Sequence, residues 1–327
     1  MKGARLSLGF TTLLKLIAKK VFYTLFLFYL LVTLLFFLMR TLRGDPFIAD
    51  TFSFSRDVLD SLKQAHRWDD SLYLQYLRYL HRIFIQWDWG VSFYHRDLRV
   101  SQILLLSLPL SLQLGFFSAL FALGGGILLG IYLSLRQNHW FHHSLSFLLI
   151  FIFSLHPIFS TLVLRTFFSE NLSLFPLTGP SPSMPLNLKW LYHATLPSLA
   201  MAISPAIYIA QLTQNSLLKI LPAHYVKQAH ARGICSMRII FHYLLRNALV
   251  PLMASLRVPL TRLLTGGFVV EYCFNISGVS RWLIESIFHR DLPVTIGILF
   301  SFFFLFLAIN LLAESLSFLL DSTLCKE

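Results

Sequence analysis

Few groupings in this sequence have the look of chemical apparatus. His139, His142 and His143 stand in the run HWFHH, and His139 and His143 would share one face of any helix holding both. A zinc site needs three or four ligands at fixed spacing, and no carboxylate or cysteine accompanies these histidines, so the run reads as a solvated or lipid-facing connection. Cys235, Cys273 and Cys325 lie far apart with no CxxC spacing, which supports neither a disulfide framework nor a zinc site. Gly124, Gly125, Gly126 and Gly130 would hint at a phosphate loop in a soluble chain. Here they fall inside an uncharged apolar run, where small residues serve close helix contact. A GxxxxGK loop ending in Ser or Thr, HExxH and GxSxG are all absent, and no Ser-His-Asp arrangement suggests itself. His156 and Asn310 are the polar candidates for an intramembrane enzyme, but His156 precedes Pro157 and reads as part of a kink. An ion-coupled carrier would call for intramembrane carboxylates, and Glu314 alone qualifies. No catalytic residue, resident cofactor or metal site is therefore expected in this chain.

The elements that position these residues follow from composition. Of 327 residues, 56% are hydrophobic and 13% charged, against about 25% charged in soluble domains. A membrane protein is the consequence. The net charge of +12 would point to nucleic acid in a soluble chain, but beside apolar runs it reads as an orientation signal and excludes that partner. Stretches free of Asp, Glu, Lys and Arg run Val21 to Met39, Val100 to Leu135, Gln137 to Leu164, Trp190 to Leu218, and Leu292 to Ala313. A sixth, about Leu249 to Val270, is interrupted by Arg257 and Arg262. Each suffices for a helix of about 20 residues across the hydrocarbon core, and none has the two-residue period of a barrel strand. The expectation is an all-α integral membrane protein with six transmembrane helices.

The expected order is a cytoplasmic segment 1–20, a first span 21–39, a large extracytoplasmic loop 40–99, a five-span core 100–320 and a cytoplasmic end 321–327. The first run is too long, and too poor in small residues at its end, for a removable signal peptide. The inner segments of this layout carry twelve Lys or Arg and the short outer loops four, Arg165, Lys189, Arg281 and Arg290. Both termini are thus expected in the cytoplasm. In the loop 40–99, Tyr76, Tyr79 and Ile83 are spaced for an amphipathic helix at the membrane surface, capping the bundle or touching cargo.

A second hydrophilic segment lies between spans four and five. From Lys219 to Arg246 it holds five Lys or Arg, three histidines (His224, His230, His242) and no acid. Ala229 and Gly233 are four apart and share a helix face. Gly233 is suited to end that helix, Ser236 could cap a second over about Met237 to Ala248, and Pro251 opens the next span. A short helix, a glycine turn and a second helix would suit a docking element. A basic hairpin against anionic lipid satisfies the same pattern.

Here the sequence resembles the inner-membrane permease subunits of ATP-binding-cassette importers, in the dipeptide and oligopeptide branch. Their loop of the type Tyr-Val-x-x-Ala-x-Ala-x-Gly, followed by about ten residues and Arg-Asn-Ala-x-x-Pro, is matched by Tyr225, Val226, Ala229, Ala231, Gly233, Arg246, Asn247, Ala248 and Pro251. Gly44, Asp45 and Pro46 after the first span, WDWGVS from Trp87 to Ser92, FPLTG from Phe175, TLPSL from Thr195 and the segment Val269 to Asp291 also have family counterparts.

The resemblance implies half of a transmembrane pathway in a bacterial inner membrane, paired with a second homologous permease. It implies two ATPase subunits that bind the ATP, an extracytoplasmic solute-binding protein, and a peptide as cargo; relatives carry nickel complexes, which is the alternative. The loop 219–248 would supply the coupling helix, centred on Ala229 to Gly233. Two departures stand out. The family often has acids just before the tyrosine and Arg in the preceding helix, where this chain has Ala223, His224, Gln211 and Gln214, so a dedicated ATPase with an acidic cleft is expected. Arg257 and Arg262 stand where the family has glycine or apolar residues. A cation in mid-span costs about 2.5–3.5 kcal/mol on insertion scales and faces a cavity or a partner. One residue of the pair would bind a peptide carboxylate in the pathway, or the two would pair with Glu314 or a helix carbonyl for assembly.

Overall fold

In lipid a backbone must satisfy its own polar groups, and the described residues do so almost wholly as helix. The computed structural model describes residues 2–41, 70–95, 97–135, 147–149, 151, 157–235, 238–240 and 267–324. The helices are α1 (Lys2–Thr41), α2 (Leu72–Phe84), α3 (Val100–Leu135), α4 (Pro157–Leu164), α5 (Leu188–Ile220), α6 (His224–Ala231), α7 (Val279–Phe288) and α8 (Leu292–Leu324). A π-helical stretch, Arg165–Asn171, continues α4, and among the described residues β-pairing is limited to one isolated bridge, Val91 with Arg99.

Four helices are long and apolar enough to cross a membrane: Ala18–Leu38 within α1, then Val100–Leu135, Leu188–Ile220 and the Leu292–Leu312 part of α8. They fall on four of the six expected spans. The other two, 137–164 and 249–270, lie mostly outside the described residues. At 1.5 Å per residue the 40 residues of α1 are about 60 Å long, roughly twice the hydrocarbon core. The basic amino-terminal segment is therefore a helical extension of the first apolar run.

The described chain forms two compact units, one of Met1–Pro109 with Arg281–Leu307, the other of Leu110–Ser280 with Ala308–Glu327. In the first, Phe28 and Val32 of α1, Ile83 of α2 and Ile296 of α8 make a buried core. The Phe28 ring meets Phe300 edge-on at 5.0 Å, and Trp89 packs on Phe300 at 4.6 Å. The amphipathic spacing in the loop after the first span is realised as α2, which buries Tyr76 and Ile83. Thr33 and the Tyr76 hydroxyl share a 2.7 Å hydrogen bond, and that hydroxyl donates to the Tyr29 hydroxyl at 3.2 Å. The Tyr76 ring thus buries its apolar body while its hydroxyl is satisfied by protein partners.

In the second unit, Trp190, Leu196, Met201, Val270 and Phe274 are core residues packed with Leu110 and Leu114 of α3. Asn187 caps α5 by accepting the Trp190 amide at 3.0 Å. The glycine run of α3 divides by face. A Cβ on Gly126 would lie 2.7 Å from the Ala206 carbonyl oxygen and 2.8 Å from Ile209 of α5, and one on Gly130 would lie 2.6 Å from the Ala210 carbonyl oxygen, whereas Gly124 and Gly125 face open space. Two of the four glycines thus set the close approach of α3 to α5, the packing role that small residues take in membranes.

Candidate functional site

The segment after α5 is built by three local decisions. Pro222 has no amide to extend α5, so the chain turns: Leu221 N donates to Leu217 O at 2.8 Å and Ala223 N to Ile220 O at 3.0 Å. Helix α6 then starts, with Val226 N donating to Ala223 O at 3.0 Å. It ends at Gly233, whose φ of +72° is left-handed. Ile234 N donates back to Ala229 O at 3.3 Å, a six-to-one bond, and Ile234 packs into the same apolar cluster as Ala229. Together these make a Schellman stop with its accompanying hydrophobic contact.

One face of α6 is turned into the chain. Val226 (2% exposed) and Ala229 (5%) join Leu217 of α5 together with Ile239 and Ile240 in a buried cluster, against which Ile131 of α3 also packs. The opposite face carries His224, Tyr225, Lys227, Gln228, Ala231 and Arg232, all exposed, as are Gly233, Cys235 and Arg238 beyond it. The expected small-residue face of Ala229 and Gly233 is therefore divided. Ala229 faces inward because its spacing from Val226 is the three-residue step that keeps an apolar pair on one side. Ala231 and Gly233 are the small residues left outside.

Sequence matches beyond this point are not all placed. Arg246, Asn247, Ala248, Pro251, Arg257 and Arg262 lie outside the described residues, as do Ser236, Met237, the histidine run 139–143 and His156. Arg238–Ile240 is helical, with Ile239 N donating to Cys235 O at 3.1 Å. Glu314 belongs to the backbone of α8.

Two buried carboxylates were not singled out by spacing, and both serve helix starts. Glu271, 2% exposed, accepts the Ser280 amide at 3.0 Å, and the Ser111 hydroxyl accepts the Val279 amide at 2.9 Å, so the first two amides of α7 are satisfied. Gly278 has no room for a Cβ because the Glu271 carboxyl and Ser111 hydroxyl fill that space. Asp291, also 2% exposed, caps α8 by accepting the Val294 amide at 3.4 Å and receives the Ser92 hydroxyl and, at 3.3 Å, the Tyr94 amide. It thereby ties the segment after WDWGVS to the start of α8. Glu271 follows a hundred residues without an acid, and Asp291 directly precedes Leu-Pro, a helix-start signal. Arg165 donates to the Cys273 carbonyl and lies 3.5 Å from Glu170, placing a cation at the end of the helical turn 267–273. Burial, and then the charge of Asp291, push the Tyr79 hydroxyl of α2 above the ordinary tyrosine range.

The sequence of residues 126–324 matches the family of binding-protein-dependent transport system inner membrane components. The chain is 34% identical over 267 residues to the dipeptide transport system permease protein DppB of Bacillus subtilis, covering 81% of this chain and 83% of that one. It is 26% identical over 287 residues to the oligopeptide transport system permease protein OppB of Haemophilus influenzae, covering 88% and 91%. Among solved structures, an inward-facing conformation of the MetNI methionine ABC transporter shares the fold, with a TM-score of 0.55 at 17% identity over 66% of this chain and 95% of that one.

Proposed function

Because the chain belongs to the family of binding-protein-dependent transport inner-membrane components, we propose that it is the permease subunit of an ATP-binding-cassette importer and forms half of a pathway for di- or oligopeptides. Members of that family are transport components of the inner membrane, not enzymes. ATP is bound by two separate ATPase subunits, and their motion enters this chain through the 219–248 loop on its cytoplasmic side. A second, homologous permease completes the pathway, and an extracytoplasmic binding protein delivers the cargo.

The observation that carries the coupling role is the asymmetry of α6. Its inward face is fused by Val226 and Ala229 to Leu217, near the end of α5, and α5 in turn is held against α3 without clearance at Gly126 and Gly130. A push on the exposed face of α6 is transmitted to two long helices, since close-packed interiors shift as bodies rather than yield continuously. Alternating access in membrane transporters is largely the rocking of such bodies.

The test is reconstitution with the two ATPase subunits, the partner permease and the binding protein, with uptake of labelled di- and oligopeptides measured with and without ATP. ATP-dependent accumulation of peptide is expected. Uptake of a nickel complex in place of peptide would reassign the cargo, and uptake independent of ATP would end the reading.

A further inference from the structure

We propose that the surface receiving α6 is an acidic cleft on the partner ATPase, held by charge pairing with Lys227, Arg232 and Arg238; this rests on the coupling role proposed above. All three side chains are exposed, and among the described residues no ion pair engages any of them. No Asp or Glu occurs between Glu170 and Glu271, so this stretch of chain offers them no carboxylate. Lys227 and Arg232 are five residues apart, about 7.5 Å of helical rise and about 140° around the axis, so they flank the exposed face on either side. Arg232 also sits favourably at the end of α6. Lys227, in mid-helix, and Arg238, beyond the glycine turn, have no such local reason to be cationic.

Burial decides between an acidic protein and an anionic bilayer. Helices that lie on membranes insert an apolar face beneath a basic one. Val226 and Ala229 of α6 are spent on the chain's own core, and apart from Tyr225 the outer face carries nothing larger than Ala231 to insert. What it offers is Ala231 and Gly233, where nothing stands within 4 Å of a Cβ built on Gly233, beside Tyr225 at 39% exposure. Small residues next to an aromatic ring and cations suit close contact with a protein surface. Cations entering such a contact need carboxylates opposite them, or they would be stripped of water without compensation.

The exposed Cys235 supplies the handle for a test on the full transporter in phosphatidylcholine nanodiscs. A bifunctional thiol reagent should link Cys235 to the ATPase subunit. Converting Lys227, Arg232 and Arg238 together to Gln should weaken ATPase association about tenfold or more and flatten its dependence on salt, with the thermal profile of the isolated permease unchanged. Reversing all three to Glu should abolish association, and Lys substitutions at acids of the ATPase cleft should restore it. If the cross-link forms but the Gln variant binds as tightly and with the same salt dependence, the acidic-cleft inference falls and the coupling role stands. If neither cross-link nor association with this loop is found, both fall. If the charge effect appears only when phosphatidylglycerol is present, the face belongs to lipid and the inference is overturned.

Discussion

Asp291 holds three hydrogen bonds on a side chain that is 2% exposed, and truncating it would orphan donors on two separate segments. Asp291→Ala is expected to cost about 1–3 kcal/mol, read as a lower unfolding temperature in detergent, with Ser92→Ala showing a smaller drop. An unchanged unfolding temperature would mean the capping contacts carry no net stability. Tyr79 gives a prediction in pH. Its hydroxyl is raised above the ordinary value by burial and by Asp291, so above about pH 10 the unfolded chain loses this proton while the folded one keeps it. Stability contributed by the protonated hydroxyl is full below that range and declines as pH rises through it. Tyr79→Phe should flatten the alkaline arm of a stability profile, and an identical arm would show that another group governs it. Asp291 was legible as a helix-start acid before Leu-Pro; its reach to Ser92 and Tyr94 joins positions almost two hundred residues apart, which no local spacing encodes.

Helix-scale features were the most legible, because lipid permits few alternatives to a helix. The runs at 100–135 and 190–218 are found as α3 and α5, and the tyrosine spacing after the first span as α2. What the apolar pattern did not carry was which side of each helix meets a neighbour. Gly124, Gly125, Gly126 and Gly130 of α3 look alike in sequence, yet a Cβ on Gly126 or Gly130 would collide with α5 and one on Gly125 would meet nothing within 4 Å. Gly126→Ala and Gly130→Ala should each cost about 1–3 kcal/mol through overpacking, whereas Gly125→Ala should be neutral or slightly stabilising. Thermal unfolding of the three variants in one detergent checks the order, and equal effects would contradict the assigned helix face.

For the molecule as a transporter, Gly233 is the position where local geometry and global motion meet. Its φ of +72° makes a Cβ there cost about 1–2 kcal/mol, so Gly233→Ala should loosen the turn, and Gly233→Asn, which tolerates that region, should do less harm. Gly233→Trp should leave the permease folded but either prevent ATPase docking or let ATP hydrolysis run without transport. Fully coupled transport in that variant would contradict a lever acting through this turn. By itself the sequence determined the membrane class, the apolar segments and the family resemblance of the α6 region, because these depend on composition and fixed local spacing. Only the tertiary structure decided that Ala229 faces inward while Ala231 and Gly233 face out, and that Glu271 and Asp291 are helix caps. Those assignments rest on which surfaces are already covered by distant parts of the chain, and burial is a property of the packed whole rather than of any stretch of residues.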